Sequence, residues 1–331
     1  MSKLQLSLIM GSNVRSGPVI DGLVKPEGID LVATAAHASE IFWRQLRFQE
    51  FDVSEMSLSS LLIAIAGGNR DWVGLPIFTS RRMFHTGIWV GSDSGIEQPA
   101  DLKGKRVGVP EYQQTAALWS RGVLTHEFGV DPANIEWFME RTPERSHGGA
   151  TGFQPPAGVR VRQIPAEKSI GTMMMDGELD ATLLYITDPN LVDRSRVTFE
   201  GNPKVRLLFP DPVAEGRRYF QKTGIFHINH GLVVRREIHE QHPWVALKLF
   251  NAFRIAKEQA EQRMRDLVST HVKLGLVPDG TSDGLLQDPY PYGVKSNQKV
   301  LETVCQYSHE QGLTPRVVSL EEVFAPNTMD L

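Results

Sequence analysis

The segment "DLKGKRVGVPEYQQTAALWSRG", residues 101–122, decides the fold. A polar turn precedes the apolar run "VGV", which is typical of a short buried strand. The overlapping segment "TAALWSRGVLTHEFGV" (115–130) has the apolar spacing of a helix that ends near Gly129. About sixty residues later, "DGELDATLL" (176–184) adds a turn and another strand. Strands that alternate with helices build parallel sheets, so we predict an α/β protein.

Strand and helix patterns also alternate before this segment, and mainly helical patterns follow it. Strands are predicted at 4–10 and 29–35, a helix at 38–48 with Ser39 as its N-cap, and a long amphipathic helix at 242–268. The strand–helix pattern therefore starts twice along the chain.

A pattern that starts twice predicts two lobes with a ligand cleft between them. The first lobe is expected to be discontinuous and to comprise residues 1–92 and 221–331. The second lobe is expected to comprise residues 93–220.

The composition excludes several classes of protein. The 331 residues are 41% hydrophobic and 22% charged, with a formal net charge of −4, which leaves no broad basic surface for nucleic acid or anionic lipid. No apolar run reaches the roughly 20 residues of a membrane span. The first apolar stretch, "LQLSLIMGS" (4–12), is too short for an export signal. We therefore predict a cytoplasmic protein with no membrane or nucleic-acid partner.

Two further features have a structural and a functional interpretation. The single cysteine, Cys305, excludes an intrachain disulfide, and its amphipathic surroundings favour a packed residue over a nucleophile. The Gly- and Pro-rich segment "SHGGATGFQPPAG" (146–158) is predicted to be a surface loop, with a lid over the cleft as the alternative.

The segments at 101–122 and 176–184 resemble type 2 periplasmic binding proteins, in which the chain crosses twice between two lobes and the ligand binds between them. A narrower set of segments stands in order over about 250 residues and is similar to 4,5-dihydroxyphthalate decarboxylase and its close relatives. These segments are "EFDVSEMSLSS" (50–60), "GLPIFTSRRMFHTGIWV" (74–90), "GVPEYQQTAALWSRGVL" (108–124), "GIFHINHGLVVR" (224–235), "HPWVALKLFNAFRIAK" (242–257) and "PYGVKSNQKVLE" (291–302).

The narrower resemblance implies a cytoplasmic enzyme that converts 4,5-dihydroxyphthalate, or a close substituted phthalate, to protocatechuate and carbon dioxide. The partner would be a small aromatic dicarboxylate, and a homo-oligomer stays open. Because a phenol can itself supply electrons to the ring, we expect no cofactor. The ten histidines form no compact ligand motif such as HExxH, so we also expect no metal.

Such a reaction requires groups that hold carboxylates and a group that protonates the ring. Arg81 and Arg82 suit a carboxylate clamp, because the planar guanidinium can bind both oxygens. As strand neighbours they point to opposite faces, so at most one is expected to face the cleft directly. His85, close behind them, is a candidate acid–base group, with a hydrogen-bonded structural role as the alternative.

The junction "GVPEYQQTA" (108–116) supplies the next candidates. Thr115 is expected to cap the following helix, whose first amides would face an anionic ligand. Tyr112 and Gln113 are candidates to bond the ring hydroxyls. The alternative is an ordinary capped turn.

The remaining candidates come from two strand ends. In "HINH" (227–230) the two histidines point to opposite faces of a strand, which argues against a shared metal, and His230 is the preferred catalytic residue. Glu55 and Ser57 in "DVSEMS" are candidates for proton transfer and substrate binding. The charged run "ERTPERSH" (140–147) is interpreted as a solvated salt-bridge cluster, with closure on a dicarboxylate as the alternative.

Three other functions stay open. A binding protein would capture an aromatic carboxylate without chemistry. Enzymes of thiamine-pyrimidine or menaquinone biosynthesis use the same fold, although no need for pyridoxal phosphate or iron is visible here. A decarboxylase for a differently substituted phthalate is the nearest alternative.

Overall fold

The computed structural model describes residues 3–281, 283 and 288–331. The strands in chain order are β1 (Leu4–Met10), β2 (Ile29–Ala35), β3 (Val53–Ser57), β4 (Trp72–Arg81), β5 (Trp89–Gly91), β6 (Arg106–Val109), β7 (Glu136–Met139), β8 (Arg160–Gln163), β9 (Ala181–Thr182), β10 (Val205–Leu207) and β11 (Ile228–Arg235). The α-helices are α1 (Gly17–Ile20), α2 (Ala38–Phe48), α3 (Leu58–Ala66), α4 (Thr115–Phe128), α5 (His147–Thr151), α6 (Ile170–Met175), α7 (Pro212–Thr223), α8 (Arg236–Gln241), α9 (Trp244–Lys273), α10 (Gln298–Glu310) and α11 (Leu320–Val323).

The strands form two sheets, which confirms the two-lobed α/β prediction. The first sheet has the order β2-β1-β3-β11-β4, with β1 parallel to β2 and β3, and with β11 antiparallel to both of its neighbours. The second sheet has the order β10-β5-β9-β6-β7-β8. Strand β11 thus returns between β3 and β4 of the first sheet, which supports a discontinuous first lobe.

The position of the first crossing differs from the expected boundary. Strand β5 pairs with β9 and β10 of the second sheet, although residues 89–91 were expected in the first lobe. We propose that the chain crosses within residues 82–88, a few residues before the expected boundary at 92.

Burial follows from the apolar sequences of the central elements. Every residue of β3 is buried, and α3, "LSSLLIAIA", is buried at all positions except its last. A strand or helix that is covered on every side reads as a nearly continuous apolar run rather than an alternating one. Cys305 packs in the same core, where burial raises its pKa to about 12, so the packed-residue interpretation is confirmed.

Two predicted helix caps are wrong. Helix α2 begins at Ala38, and its N-cap is His37, whose side chain accepts a hydrogen bond from the amide of Ser39. Helix α4 has Gln114 as its N-cap, with Thr115 as its first residue. In both cases the hydroxyl that sequence reasoning assigned to the cap bonds to the other lobe instead.

Other boundaries lie close to the predictions. Helix α4 ends at Gly129, which has a φ of 66°, in the left-handed region that glycine adopts most easily. The long helix α9 covers Trp244–Lys273, and its first half packs in the core. Part of the predicted loop at 146–158 forms the short helix α5. None of the helices among the described residues is long and apolar enough to cross a membrane.

Helices α4 and α10 approach each other closely at Gly122. A Cβ atom on Gly122 would overlap the ring of Tyr307, which also packs against Trp119. We expect Gly122→Ala to lower the free energy of unfolding by about 1–3 kcal/mol, because overpacking outweighs the better helix propensity of alanine. Denaturant unfolding measures this change. The control Gly17→Ala meets no heavy atom within 4 Å and should be nearly neutral; equal stability of the two variants would contradict the close approach.

Candidate active site

A cavity of about 400 Å³ lies between the two lobes. The first lobe lines it with residues near the starts of α2 and β11 and the ends of β3 and β4. The second lobe lines it with the start of α4 and with residues 141, 147 and 184–188. Small-molecule pockets begin at about 300 Å³, so the cavity can enclose a small ligand.

Two of the predicted catalytic residues form a hydrogen-bonded pair at the first-lobe wall. Strand β11 pairs with β3 so that His230 lies opposite Ser57, which makes Glu55 its diagonal neighbour. Nδ1 of His230 lies 2.9 Å from Oε1 of Glu55. His230 lines the cavity, whereas Glu55 is 4% exposed. Because Nδ1 is engaged by Glu55, Nε2 is the nitrogen left to exchange a proton with a bound molecule.

Glu55 is held as a carboxylate despite its burial. Burial raises its pKa, but the hydrogen bond and the charge of His230 lower it. The hydroxyl of Thr79 at 2.6 Å and the amide of Gly11 at 2.7 Å lower it further, so the pKa of Glu55 lies below its usual value. An ionised Glu55 orients the imidazole through this hydrogen bond. The pair is therefore suited to general acid–base chemistry.

Three helices of nine or more residues begin at the cavity wall, in addition to the short helix α5. These are α2, α3 and α4, whose caps or first turns contribute His37, Ala38, Ser39, Ser57, Gln114 and Ala116 to the lining. The start of a helix carries partial positive charge and unpaired amides, which favour anions. This wall therefore suits a ligand with more than one negative group.

Arg82 is the arginine available to such a ligand. Three arginines line the cavity, and Arg82 is the exposed one. The guanidinium of Arg81 is buried and donates to the carbonyl of Pro291 at 3.1 Å and to the side chain of Asn297. Arg141 is fully buried in ion pairs. The two consecutive arginines thus differ in exposure and in their contacts.

A buried ionic cluster forms part of the second-lobe wall. The guanidinium of Arg141 lies 2.8 Å from Glu111 and 2.6 Å from Asp193. Burial lowers the pKa of Arg141, but these two carboxylates raise it overall. His147, 2% exposed, lies 3.2 Å from Arg141. The interpretation of 140–147 as a solvated cluster is therefore wrong for Arg141 and His147, because both side chains are buried.

The predicted site residues His85 and Tyr112 do not line the cavity, because their rings are packed in the core. His85 is fully buried beside Tyr219, with 5.0 Å between the ring centroids, and its Nε2 lies 3.2 Å from Glu215. Burial lowers the pKa of His85 to about 4, which favours its structural alternative. Tyr112 is 1% exposed and packs edge-on against Trp137.

Gln113 and Thr115 lie behind the cavity wall rather than in it. The side-chain amide of Gln113 bonds to Glu111 of the ionic cluster. The hydroxyl of Thr115 lies 2.9 Å from the hydroxyl of Ser57 and accepts from the amide of Ser59, also at 2.9 Å. Gln113 thus supports the ionic cluster, and Thr115 joins the start of α4 to the first lobe. Of the residues in these contacts, Ser57 lines the cavity.

Sequence reasoning missed several residues of the site. Phe42 packs edge-on against His230, with 4.6 Å between the ring centroids, and also against His147. Thr79 fixes Glu55, and Ser39 contacts the ionic cluster. Phe42 and Ser39 lie three residues apart at the start of α2, a spacing that places them on one face. That spacing was visible in the sequence, but nothing local indicated which lobe the face meets.

No group of three or more His, Cys, Asp or Glu side chains within residues 3–281, 283 and 288–331 is arranged to hold a metal ion.

Comparison with known proteins gives the family. A 4,5-dihydroxyphthalate decarboxylase from Comamonas testosteroni is 35% identical over 333 residues, which covers 100% of this chain and 99% of the relative. The chain belongs to the 4,5-dihydroxyphthalate decarboxylase family. It is therefore an enzyme that removes carboxyl groups. A second relative of the same name, from Pseudomonas putida, is 37% identical over 213 residues, or 64% of this chain and 80% of the relative.

More distant comparisons agree with the fold. The NMT1/THI5 like family matches residues 74–144. The alkanesulfonate-binding protein SsuA from Xanthomonas axonopodis pv. citri has a TM-score of 0.55 at 13% identity and covers 99% of this chain and 98% of that one. The periplasmic aliphatic sulphonate binding protein SsuA from Escherichia coli has a TM-score of 0.52 at 15% identity, with 98% and 92% covered. At these identities the likeness shows the periplasmic-binding-protein fold alone.

If Arg82 binds an anionic ligand, the variant Arg82→Gln should bind phthalate, an unreactive dicarboxylate, about 10-fold more weakly. A hydrogen bond between charged groups contributes about 1.5–3 kcal/mol, and the exposure of Arg82 places it at the lower end. Isothermal titration calorimetry measures the dissociation constant. The control is Arg162→Gln, an exposed arginine on β8. Equal affinity of the Arg82 variant and the unchanged protein would contradict this role.

Proposed function

We propose that the protein removes one carboxyl group from 4,5-dihydroxyphthalate and produces protocatechuate and carbon dioxide. The names of the Comamonas and Pseudomonas relatives support this substrate. The observation that carries the proposal is the His230–Glu55 pair, which offers a proton at a cavity wall that also presents Arg82 and three helix starts. A proton donor beside an anion-binding wall is what decarboxylation of an aromatic dicarboxylate requires.

The reaction replaces a carbon–carbon bond by a carbon–hydrogen bond. The hydroxyl para to the departing carboxylate donates electrons to the ring, and the ring carbon that bears this carboxylate takes up a proton. The bond between this ring carbon and the carboxylate then breaks, and carbon dioxide leaves. The electron pair of the broken bond restores the aromatic ring. Each turnover consumes one proton, which solvent returns to the enzyme. No external electron acceptor is needed in this sequence.

His230 is the proposed proton donor, and Glu55 is its orienting partner. As a cation, His230 delivers the proton from Nε2 while the carboxylate of Glu55 holds Nδ1. Glu55 stays ionised because Thr79 and Gly11 also donate to it. Positioned acids of this kind typically contribute about 10²–10⁴-fold to the rate.

The remaining carboxylate is proposed to bind Arg82 and the start of α4. The aromatic ring would lie against the apolar side chains of the wall, which include Phe42 and Phe84 from the first lobe and Leu184 from the second. Fixed positive groups at one end and an apolar surface beneath the ring orient the scissile carbon toward His230. The rate enhancement then arises mainly from positioning and from preorganised charge.

The direct test is to incubate the purified protein with 4,5-dihydroxyphthalate, with and without a chelator, and to follow protocatechuate and carbon dioxide. We expect equal amounts of both products, unaffected by the chelator. If turnover is lost only when the chelator is present, the proposed reaction stands but requires a metal ion. Binding of the substrate without product would contradict the proposal and favour a solute-binding protein.

The role of Glu55 predicts a specific loss in Glu55→Gln. The amide keeps the shape but not the charge, so kcat should fall by roughly 10²-fold, within the range for a positioned acid.

The control for this variant is Asp52→Asn. Asp52 accepts from the amide and the hydroxyl of Ser7, both at 2.8 Å, and it does not line the cavity. Steady-state kinetics of the two variants at substrate saturation measure the effect. A Glu55→Gln enzyme with wild-type kcat would remove Glu55 from the mechanism.

We also propose that the reaction belongs to phthalate breakdown in the cytoplasm. Membership of the 4,5-dihydroxyphthalate decarboxylase family supports this role and this location. Fractionation of cells that produce the protein, with activity found in the periplasmic fraction, would contradict it.

A further inference from the structure

Ser39 lies at a buried contact between the two lobes. It belongs to the first turn of α2 in the first lobe and is 3% exposed. Its hydroxyl donates to Oδ2 of Asp193 at 2.7 Å and accepts from Nη2 of Arg141 at 2.6 Å. Its carbonyl lies 3.3 Å from Nε2 of His147. Three second-lobe residues therefore hold one first-lobe serine.

The second-lobe side of this contact is assembled without Ser39. Arg141 donates to Glu111 and makes two bonds to Asp193, and the backbone amide of His147 also bonds to Glu111. These interactions lie within the second lobe and do not depend on its position relative to the first. When the lobes are together, the hydroxyl and the carbonyl of Ser39 become additional hydrogen-bond partners of the cluster.

The other hydrogen bonds between α2 and the second lobe are closer to solvent. The indole of Trp43 donates to the carbonyl of Glu144 at 3.0 Å, and the amide of Leu191 donates to Glu40 at 2.8 Å, both in exposed surroundings. Water can replace such bonds at little cost, whereas it is excluded from the Ser39 contact. We therefore expect loss of the Ser39 hydrogen bonds to destabilise the closed arrangement more than loss of either exposed hydrogen bond.

The contact also lies beside the catalytic pair. Phe42, three residues after Ser39 on the same helix, packs against His230 of the first lobe and His147 of the second. When Ser39 holds the second lobe in place, Phe42 and His147 cover one side of the cavity next to His230. The contact therefore links closure of the lobes to the exclusion of water from the proton donor.

We propose that Ser39 is a positioning residue that latches the two lobes in the closed, binding-competent state through Arg141 and Asp193. In the open state, water satisfies these polar groups. In the closed state, removal of the hydroxyl leaves two buried charged groups short of a partner. The closed fraction falls, and the apparent affinity for a ligand that requires closure falls in proportion.

The test uses Ser39→Ala and a matched control, Ser60→Ala. Ser60 is also a buried helix serine, and within the described residues its hydroxyl has no hydrogen-bond partner. The dissociation constant for phthalate is measured by calorimetry, and compaction on adding phthalate is measured by small-angle X-ray scattering. We expect Ser39→Ala to bind about 5- to 100-fold more weakly and to compact less at a given phthalate concentration.

Kinetics separate a latch from a general loss of structure. With the reactive substrate, Ser39→Ala should show a raised KM and a kcat close to that of the wild type at saturation, while the denaturation midpoint without ligand stays near the wild-type value. Unchanged phthalate affinity and compaction in Ser39→Ala would overturn the proposal. A lowered kcat at unchanged KM would also overturn it, because it would place Ser39 in the chemical step.

A double-mutant cycle tests the partner. Asp193→Asn keeps the size of the side chain but removes the charge that accepts from Ser39. If the two residues act through one contact, the effect of the double variant on phthalate affinity should be clearly smaller than the product of the single effects. Independent effects would contradict the assignment of Asp193.

The phthalate measurements keep this inference separate from the proposed function, because they require no turnover. If 4,5-dihydroxyphthalate is not decarboxylated, dependence of closure on Ser39 would still support the latch. If turnover is observed and closure is independent of Ser39, the latch alone fails.

Discussion

The proposed acid–base pair of His230 and Glu55 depends on the antiparallel pairing of β11 with β3. This pairing sets His230 opposite Ser57 and Glu55 on the diagonal, so that a histidine and a carboxylate 175 residues apart in the chain share a hydrogen bond. A shift of one residue would turn His230 to the other face of the sheet. Sheet register, rather than a flexible loop, therefore holds the acid–base pair.

Charge is distributed unequally between the two walls of the cavity. The first-lobe wall offers the exposed Arg82 and the pair of Glu55 with His230, while the charges of the second-lobe cluster satisfy one another. Unpaired positive charge thus lies where a carboxylate would be held. The paired charges of Arg141 and Asp193 lie where the lobes meet, and there an unpaired charge would oppose closure.

Periodicity, and the resemblance of 101–122 to binding proteins, were sufficient for the fold, because strand and helix patterns are local. Glu55 and His230 were both chosen because they lie near strand ends, and in this fold such strand ends meet at the cleft. His85 and Tyr112 were misjudged because their neighbours come from distant segments, which pack around them and exclude them from the cavity. Arg141 and His147 look like surface charges in sequence, and only the fold supplies Glu111 and Asp193 as their partners.

The late return of β11 has a consequence for synthesis on the ribosome. Until residues 228–235 have emerged, β3 and β4 lack the strand that separates them in the finished sheet, and each keeps an unpaired edge. The complete second-lobe sequence emerges before the first lobe can close its own sheet. The nascent chain therefore keeps two unpaired strand edges from the synthesis of β4 until that of β11, a state in which exposed strand edges favour association with other chains and with chaperones.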